Sequence, residues 1–304
     1  MAAPIVQQAG DDPDSTAARP AVAGWIRGLA LLPLGFWYAF ARLLAWIAVR
    51  VQHRGHVVQP SLQIAFPERD AQSIRQLTSE FYWGYAQVLV ELVKSARLSP
   101  EELRRRIAFA GLEPLRQVLA GGRPVIVLAA HQCNWEWLLS GLCGELGYPV
   151  DAAYKPLKSP WGDRAMIAIR SRFGARMVPA INLLGDMLAR RKLARAIAIL
   201  ADQEPVQSEN MHWLRFLNRD SAFYTGPEEI ARATRYPVWF LKIHRVSLGR
   251  YAAEAVLVWD AVEKLAPGEL TERYAAMVEA QIRAAPADWP WSHKRWRLQR
   301  NLYS

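Results

Sequence analysis

A chain of 304 residues with 52% hydrophobic content is long enough for one large folded domain and too apolar to be disordered. Its 38 Lys+Arg against 28 Asp+Glu give a formal net charge of +10, which directs it toward acidic partners: nucleic acid, an anionic membrane surface or an acidic carrier protein. The 13 tryptophans favour lipid over nucleic acid, because amphipathic indoles gather at lipid–water boundaries; the other use of so many aromatics is an ordinary core.

Residues 1–20 are polar and rich in Ala, Pro and Asp, the composition of a disordered N-terminus. Leu29–Val49 follows as about 21 mostly apolar residues, interrupted by Arg42 and with Pro33 as a candidate kink, long enough to cross a hydrocarbon layer of about 30 Å. No small-residue cleavage site follows, and Arg50, Gln52, His53 and Arg54 come instead. The segment therefore reads as an uncleaved membrane anchor over 21–54, spanning or interfacial, with the Arg50–Arg54 cluster on the cytoplasmic side. A buried helix of the domain is the competing reading.

From Ala71, apolar residues Ile74, Leu77, Phe81, Tyr85, Leu89 and Leu92 recur at three or four, the pattern of an amphipathic helix. Ser99-Pro100-Glu101-Glu102 opens a short helix with proline at its first position, and Leu112–Leu119 forms another. Val125–Leu128 is then a β-branched apolar run after Gly121-Gly122, a strand buried on both faces. The chain turns polar at once, with His131 and Glu136 five residues apart, before a helix marked by Trp137, Leu138, Leu142 and Leu146.

Further on, Val150–Tyr154 reads as a strand, Trp161–Phe173 as a helix, Ala175–Val178 as a strand and Asn182–Leu193 as a helix. Ala196–Ala201 is a buried strand ending in the polar pair Asp202-Gln203. Glu204–Tyr224 shows no clear periodicity and is expected to be a long loop whose Trp213 and Phe216 line an acyl-chain channel or touch lipid. Thr225-Gly226-Pro227-Glu228 has the spacing of a capping box, whose free N–H groups suit an anion. Val238–Ile243 and Ala252–Trp259 are candidate antiparallel strands, Thr271–Ala284 a last helix, and the stretch from Asp288 to Arg300 a Trp/Arg/Lys tail whose His293 reads as structural or surface. Strands alternating with helices argue for an α/β fold with a largely parallel, mixed sheet flanked by helices.

Residues five apart on a regular helix lie about 140° from each other, so His131 and Glu136 meet only if His131 is in the turn. Glu136 is then expected to accept the proton of one imidazole nitrogen and leave the other as a general base. With no nucleophile beside the pair, the attacking group is a substrate hydroxyl. Cys133 lies between them, but the spacing matches neither CxxC nor HExxH, so neither a metal nor a cofactor is implied. The two cysteines, Cys133 and Cys143, are too few for a disulfide framework and suit a reducing compartment. A serine hydrolase is disfavoured because no G-x-S-x-G occurs.

HQCNWE fits the H-x4-D/E motif of the lysophospholipid acyltransferase superfamily, and the flanking segments make the match more specific. LQIAFPE (Leu62–Glu68), Tyr154-Lys155-Pro156-Leu157, Ala201-Asp202-Gln203 and Trp291-Ser292-His293-Lys294-Arg295-Trp296 follow the order of segments in the bacterial lipid A biosynthesis acyltransferases, which the chain resembles over roughly 50–298. It departs where Ser61 replaces the usual Asn and where Glu204-Pro205 stands in place of a glycine-containing loop. The resemblance implies a glycerolipid acyltransferase-like domain over 55–304, at the cytoplasmic side of a bacterial inner membrane. It implies transfer of a fatty acyl chain from acyl carrier protein, or acyl-CoA, to a hydroxyl of a lipid A precursor or related glycolipid.

Under that reading His131 is the base and Glu136 its partner. Arg164 and backbone N–H groups near Thr225-Gly226 are candidate oxyanion donors, and Lys155, Lys158 and Arg164 candidate phosphate ligands. Asp202, Gln203, Trp213 and Phe216 complete the expected substrate site. The alternatives are acylation of a phospholipid, mannosylated lipid or aminolipid, and a membrane-tethered binding protein without turnover.

Overall fold

A computed structural model describes residues 20–206 and 210–298. Its N-terminal helices are α1 (Gly24–Leu29), α2 (Leu34–Arg50), α3 (Gly55–Ala65) and α4 (Ala71–Lys94). Asp70 caps α4 by accepting the Ser73 N–H at 2.7 Å, and the stripe Ile74, Leu77, Phe81 is buried as its spacing predicts. The expected single anchor is broken: Pro33 precedes α2 as its cap, so the apolar run divides into two helices rather than kinking one.

Among the described residues no single helix is long and apolar enough to cross a membrane. Only α2 and α3 taken together pass on length and composition, and they are bent by 88°. The physical reason is that α2 has 17 residues, about 26 Å of rise, and one stripe of it, Trp37, Tyr38, Ala41 and Ala45, is buried in the core.

After α5 (Pro100–Arg104), capped by Ser99, come β1 (Ile107–Ala110), α6 (Leu112–Ala120), β2 (Val125–Ala129) and α7 (Trp135–Glu145). Then follow β3 (Val150–Tyr154), α8 (Pro160–Ser171), β4 (Ala175–Pro179), α9 (Leu183–Ala189) and β5 (Ala196–Leu200). Helix α9 ends earlier than its pattern predicts; it buries Leu183 and Met187 and leaves Leu184 and Leu188 exposed.

The stretch expected to be a loop is a hairpin, β6 (Met211–Phe216) and β7 (Arg219–Tyr224). Its two turn residues, Leu217 and Asn218, both take positive φ (51° and 63°), the type I′ geometry that tight hairpins prefer. No glycine marks the turn, so its sequence signal is weak. Phe216 belongs to the core rather than to a lipid surface: it is fully buried against Phe223 and Trp289. Trp213 is partly buried, opposite Ala222.

Helix α10 (Gly226–Thr234), strands β8 (Val238–Ser247) and β9 (Arg250–Trp259), and helix α11 (Glu269–Ala284) complete the fold. The seven-stranded sheet has the order β1-β9-β8-β2-β5-β3-β4. All pairs are parallel except β8 with β9, so the mixed, largely parallel sheet agrees with the alternation of strands and helices. Strand β2 lies in the middle, alternating Ile126 and Leu128 into one core with Val125, Val127 and Ala129 into the other. Both of its faces are covered, which is why it reads as an unbroken apolar run.

Candidate functional site

Strands β2 and β5 are parallel neighbours whose register pairs Ala129 with Leu200. His131 and Asp202 each lie two residues beyond that pair, so they leave the carboxyl ends of adjacent strands side by side. The chain goes from β2 to β3 on one side and from β5 toward β8 on the other. Such a reversal of direction is where open α/β sheets form their ligand crevice.

The His131 Nδ1 lies 2.7 Å from Asp202 Oδ1, and the His131 backbone N–H donates to the same carboxylate at 3.1 and 3.2 Å. The indole N–H of Trp289 donates to Oδ2 at 2.9 Å. Burial alone would raise the Asp202 carboxyl, but the His131 charge and the hydrogen bonds from His131 and Trp289 outweigh it and hold it below the ordinary carboxylate value. An ionised carboxylate only accepts, so in the neutral imidazole Nδ1 carries the proton and Nε2 keeps the lone pair. The side chain of His131 is 19% exposed and that of Asp202 1%, so the outward nitrogen is Nε2. Gln203 Nε2 stands 3.4 Å from it.

The expected partner of His131, Glu136, is engaged elsewhere. Its carboxylate receives Arg170 in a two-pronged pair, Nη2 to Oε1 at 2.6 Å and Nε to Oε2 at 2.9 Å, and the Trp135 indole N–H at 3.0 Å. Arg170 is held above its ordinary value, because the Glu136 charge and hydrogen bond outweigh the opposing effect of burial. The Trp135 ring lies edge-on to the His131 ring, centroids 5.3 Å apart. His131, Trp135, Glu136 and Arg170 thus form one cluster in which Asp202, not Glu136, holds the imidazole. The reason is positional: Glu136 sits in the first turn of α7, which faces α8, whereas Nδ1 faces the end of β5.

Arg170 was not singled out by the sequence, and Arg164 was. The two are six residues apart on α8, about 600° or a net 240° around the helix, so they cannot share a face; Arg164 is exposed, as are Lys155 and Lys158. At α10 the capping box does not form. The Thr225 hydroxyl meets Glu229 at 2.8 Å, and Glu228 turns inward to accept the N–H groups of Gly268 and Thr271. With both carboxylates at its N-terminus, α10 presents negative charge where an anion was expected.

The tail also matters in a way its composition did not reveal. Arg295, 1% exposed, donates to the Asp202 carbonyl at 2.8 Å and the Ala222 carbonyl at 2.6 Å, and burial pushes its pKa down to about 10. His293 is held below its ordinary value chiefly by burial. Cys133 is buried and its thiol is raised well above the ordinary range, by burial and then by Asp288. A cavity of about 380 Å³ beside α1 and the C-terminal ends of α4 and α8 is lined by Arg27, Arg97 and Arg172 and includes none of the residues around His131.

A helix-covered parallel sheet with a carboxylate-held histidine at its switch point has the layout of an α/β enzyme. The sequence then gives its kind. Residues 15–298 match the bacterial lipid A biosynthesis acyltransferases, and the chain belongs to that family: it is an acyltransferase. Similar proteins include a lipid A biosynthesis acyltransferase of Haemophilus influenzae, 24% identical over 255 residues, or 82% of this chain and 78% of that one. Another is lipid A biosynthesis acyltransferase 2 of Shigella flexneri, 23% identical over 157 residues, 51% of this chain and 50% of that one.

Proposed function

We propose that this acyltransferase moves a fatty acyl chain from an acyl thioester to a hydroxyl of a lipid A precursor, with His131 as general base. The observation that carries this reading is the bond from His131 Nδ1 to the buried Asp202 carboxylate, which fixes the tautomer with a basic Nε2. In the reaction the acceptor hydroxyl passes its proton to Nε2 as its oxygen attacks the thioester carbonyl. The new C–O bond forms, the C–S bond breaks, and the departing thiolate takes the proton from the imidazolium. Asp202 stabilises the charged imidazole between those two transfers.

The developing oxyanion needs a donor, and such groups contribute about 3–4 kcal/mol each in acyl transfer. Arg170 suits that part: Glu136 fixes its Nε and Nη2, and its Nη1 carries no hydrogen bond among the described residues. Glu136 in this scheme orients the cation. The exposed Lys155, Lys158 and Arg164 remain candidates for the acceptor's phosphates. Acyl carrier protein, acidic as the family resemblance implies, is the donor that the net charge of +10 would dock; acyl-CoA is the other. Mass spectrometry of lipid A from cells with and without the gene tests the assignment. The expected result is one acyl chain fewer in its absence, and an unchanged lipid A profile would refute it.

The enzyme works at the cytoplasmic face of the inner membrane, held there by one face of α2. Phe36, Phe40, Leu43, Trp46 and Ile47 are all at least 40% exposed and follow one another at three, four and one, while the opposite stripe is core. Such a helix lies in the interface rather than crossing it. Replacing Leu43 and Trp46, 51% and 56% exposed, with Glu changes no residue of the buried stripe and removes roughly 1.5–3 kcal/mol for each fully inserted side chain. Partitioning onto vesicles should weaken at least about tenfold in a co-sedimentation assay, and unaltered partitioning would return these residues to plain surface.

A further inference from the structure

Glu91, on α4, is 0% exposed and lies outside the chemistry described above. A carboxylate in such a place is costly to bury unless it is needed as an acceptor. It has three donors: Tyr38 Oη on Oε1 at 2.9 Å, and Tyr251 Oη and Asn134 Nδ2 on Oε2 at 2.6 and 2.7 Å. Asn134 is also 0% exposed, and its own Oδ1 accepts the Trp137 N–H at 2.8 Å, which caps the helix carrying Glu136. The Asn134 amide is therefore set from both ends, nitrogen toward Glu91 and oxygen toward α7.

The same network holds the turn a second time. Tyr251 accepts from Arg245 Nη1 at 2.7 Å, Arg245 reaches Asp288 at 3.0 and 3.2 Å, and the Asp288 carbonyl accepts the Cys133 N–H at 2.9 Å. Cys133 has φ +49°, a left-handed conformation that persists in a non-glycine residue only where its surroundings enforce it. The residue after Asp288 is Trp289, the donor to Asp202. At its far end the network reaches Tyr38 on α2, the helix whose other face is exposed and apolar.

We propose that Glu91 is a positioning residue for the 131–136 turn, holding it through Asn134 so that His131 stays on Asp202 while Glu136 stays on Arg170. It acts through Asn134 and Tyr251, not on substrate, and it rests on the reading that His131 is the base. Glu91→Leu removes the acceptor at similar size and orphans the Asn134 amide. Asn134→Ser keeps an N-cap oxygen for α7 but drops the bond to Glu91. Glu91→Gln can still offer its oxygen to Asn134 while Tyr38, whose hydroxyl rotates, accepts from its amide.

For a folded Glu91→Leu protein, kcat should fall roughly 10- to 100-fold, by analogy with the loss of outer partners that orient metal ligands, with KM little changed. Asn134→Ser should match it, the double variant should be no worse than either single, and Glu91→Gln should restore most of the loss. A second readout does not depend on the acceptor being right: the Nδ1 proton resonance of His131, followed by NMR in histidine-labelled protein. It should shift or broaden in Glu91→Leu and Asn134→Ser and return in Glu91→Gln. Parent-like kcat and resonance in folded Glu91→Leu, or additive losses, would overturn the proposal. A normal resonance shift with no turnover by any variant or the parent would instead refute the assigned reaction and leave the positioning role standing.

Discussion

Replacing His131 with alanine should lower acyl transfer by roughly 10²–10⁴, the contribution of a positioned general base, with little change in acceptor binding. The side chain is partly exposed and its ring packs only edge-on against Trp135, so the folded state should survive. Its carboxylate partner does not move with it: Asp202 keeps the His131 backbone N–H and the Trp289 indole. The loss thus reports chemistry rather than unfolding. Single-turnover transfer with acyl-carrier-protein donor and glycolipid acceptor is the measurement, and near-normal turnover by a folded His131→Ala protein would remove the mechanism whatever the fold.

Asp202→Asn should be comparably damaging, by up to roughly 10⁴ in kcat, the loss that the same change causes in a serine-protease triad. Asp202 accepts three N–H groups and donates none. Asparagine offers one oxygen. If its amide N–H₂ faces Nδ1, the imidazole must take the other tautomer and Nε2 loses its lone pair; if it faces Trp289, a buried donor meets a donor, at about 1–3 kcal/mol of stability.

The pH dependence has a definite sign. The folded-state value of Asp202 lies below the ordinary 3.8, so its contribution to stability is fully present above about pH 4 and is lost as pH falls through the depressed value. The stability gap between parent and Asp202→Asn should therefore narrow on acidification below that point, read from urea midpoints. His131→Ala and Asp202→Asn act as one unit, and the double variant should be scarcely worse than either. Glu136→Gln, acting on Arg170, should instead impair turnover while leaving the His131 Nδ1 resonance in place. Loss of that resonance in Glu136→Gln would return Glu136 to the imidazole.

The sheet was legible in the sequence because its central strands are covered on both faces, and β2 and β5 therefore appear as unbroken apolar runs closed by polar residues. Helices α4, α5 and α7 were legible for the complementary reason: an apolar period or a cap residue marks each locally. The hairpin from Met211 to Tyr224 was not, because its turn is made by Leu217 and Asn218 at positive φ without glycine, and its Phe216 and Phe223 are buried by distant α11 and Trp289 rather than by neighbours in sequence. The N-terminal apolar run gave the right composition and the wrong object, since hydropathy counts residues and does not say which stripe another helix will cover.

By itself the sequence determined that His131 stands at the end of a buried strand, that Asp202-Gln203 stands at the end of another, and that the segments around both are those of an acyltransferase family. Which carboxylate meets the imidazole was decided by tertiary structure. The pairing of Ala129 with Leu200 across β2 and β5 brings together residues 71 positions apart, while the five-residue spacing to Glu136 turns that side chain toward Arg170 on α8. Spacing along a chain constrains only neighbours within a turn or a helix. Strand order and register, set by how both faces of the whole sheet are buried, choose the partner.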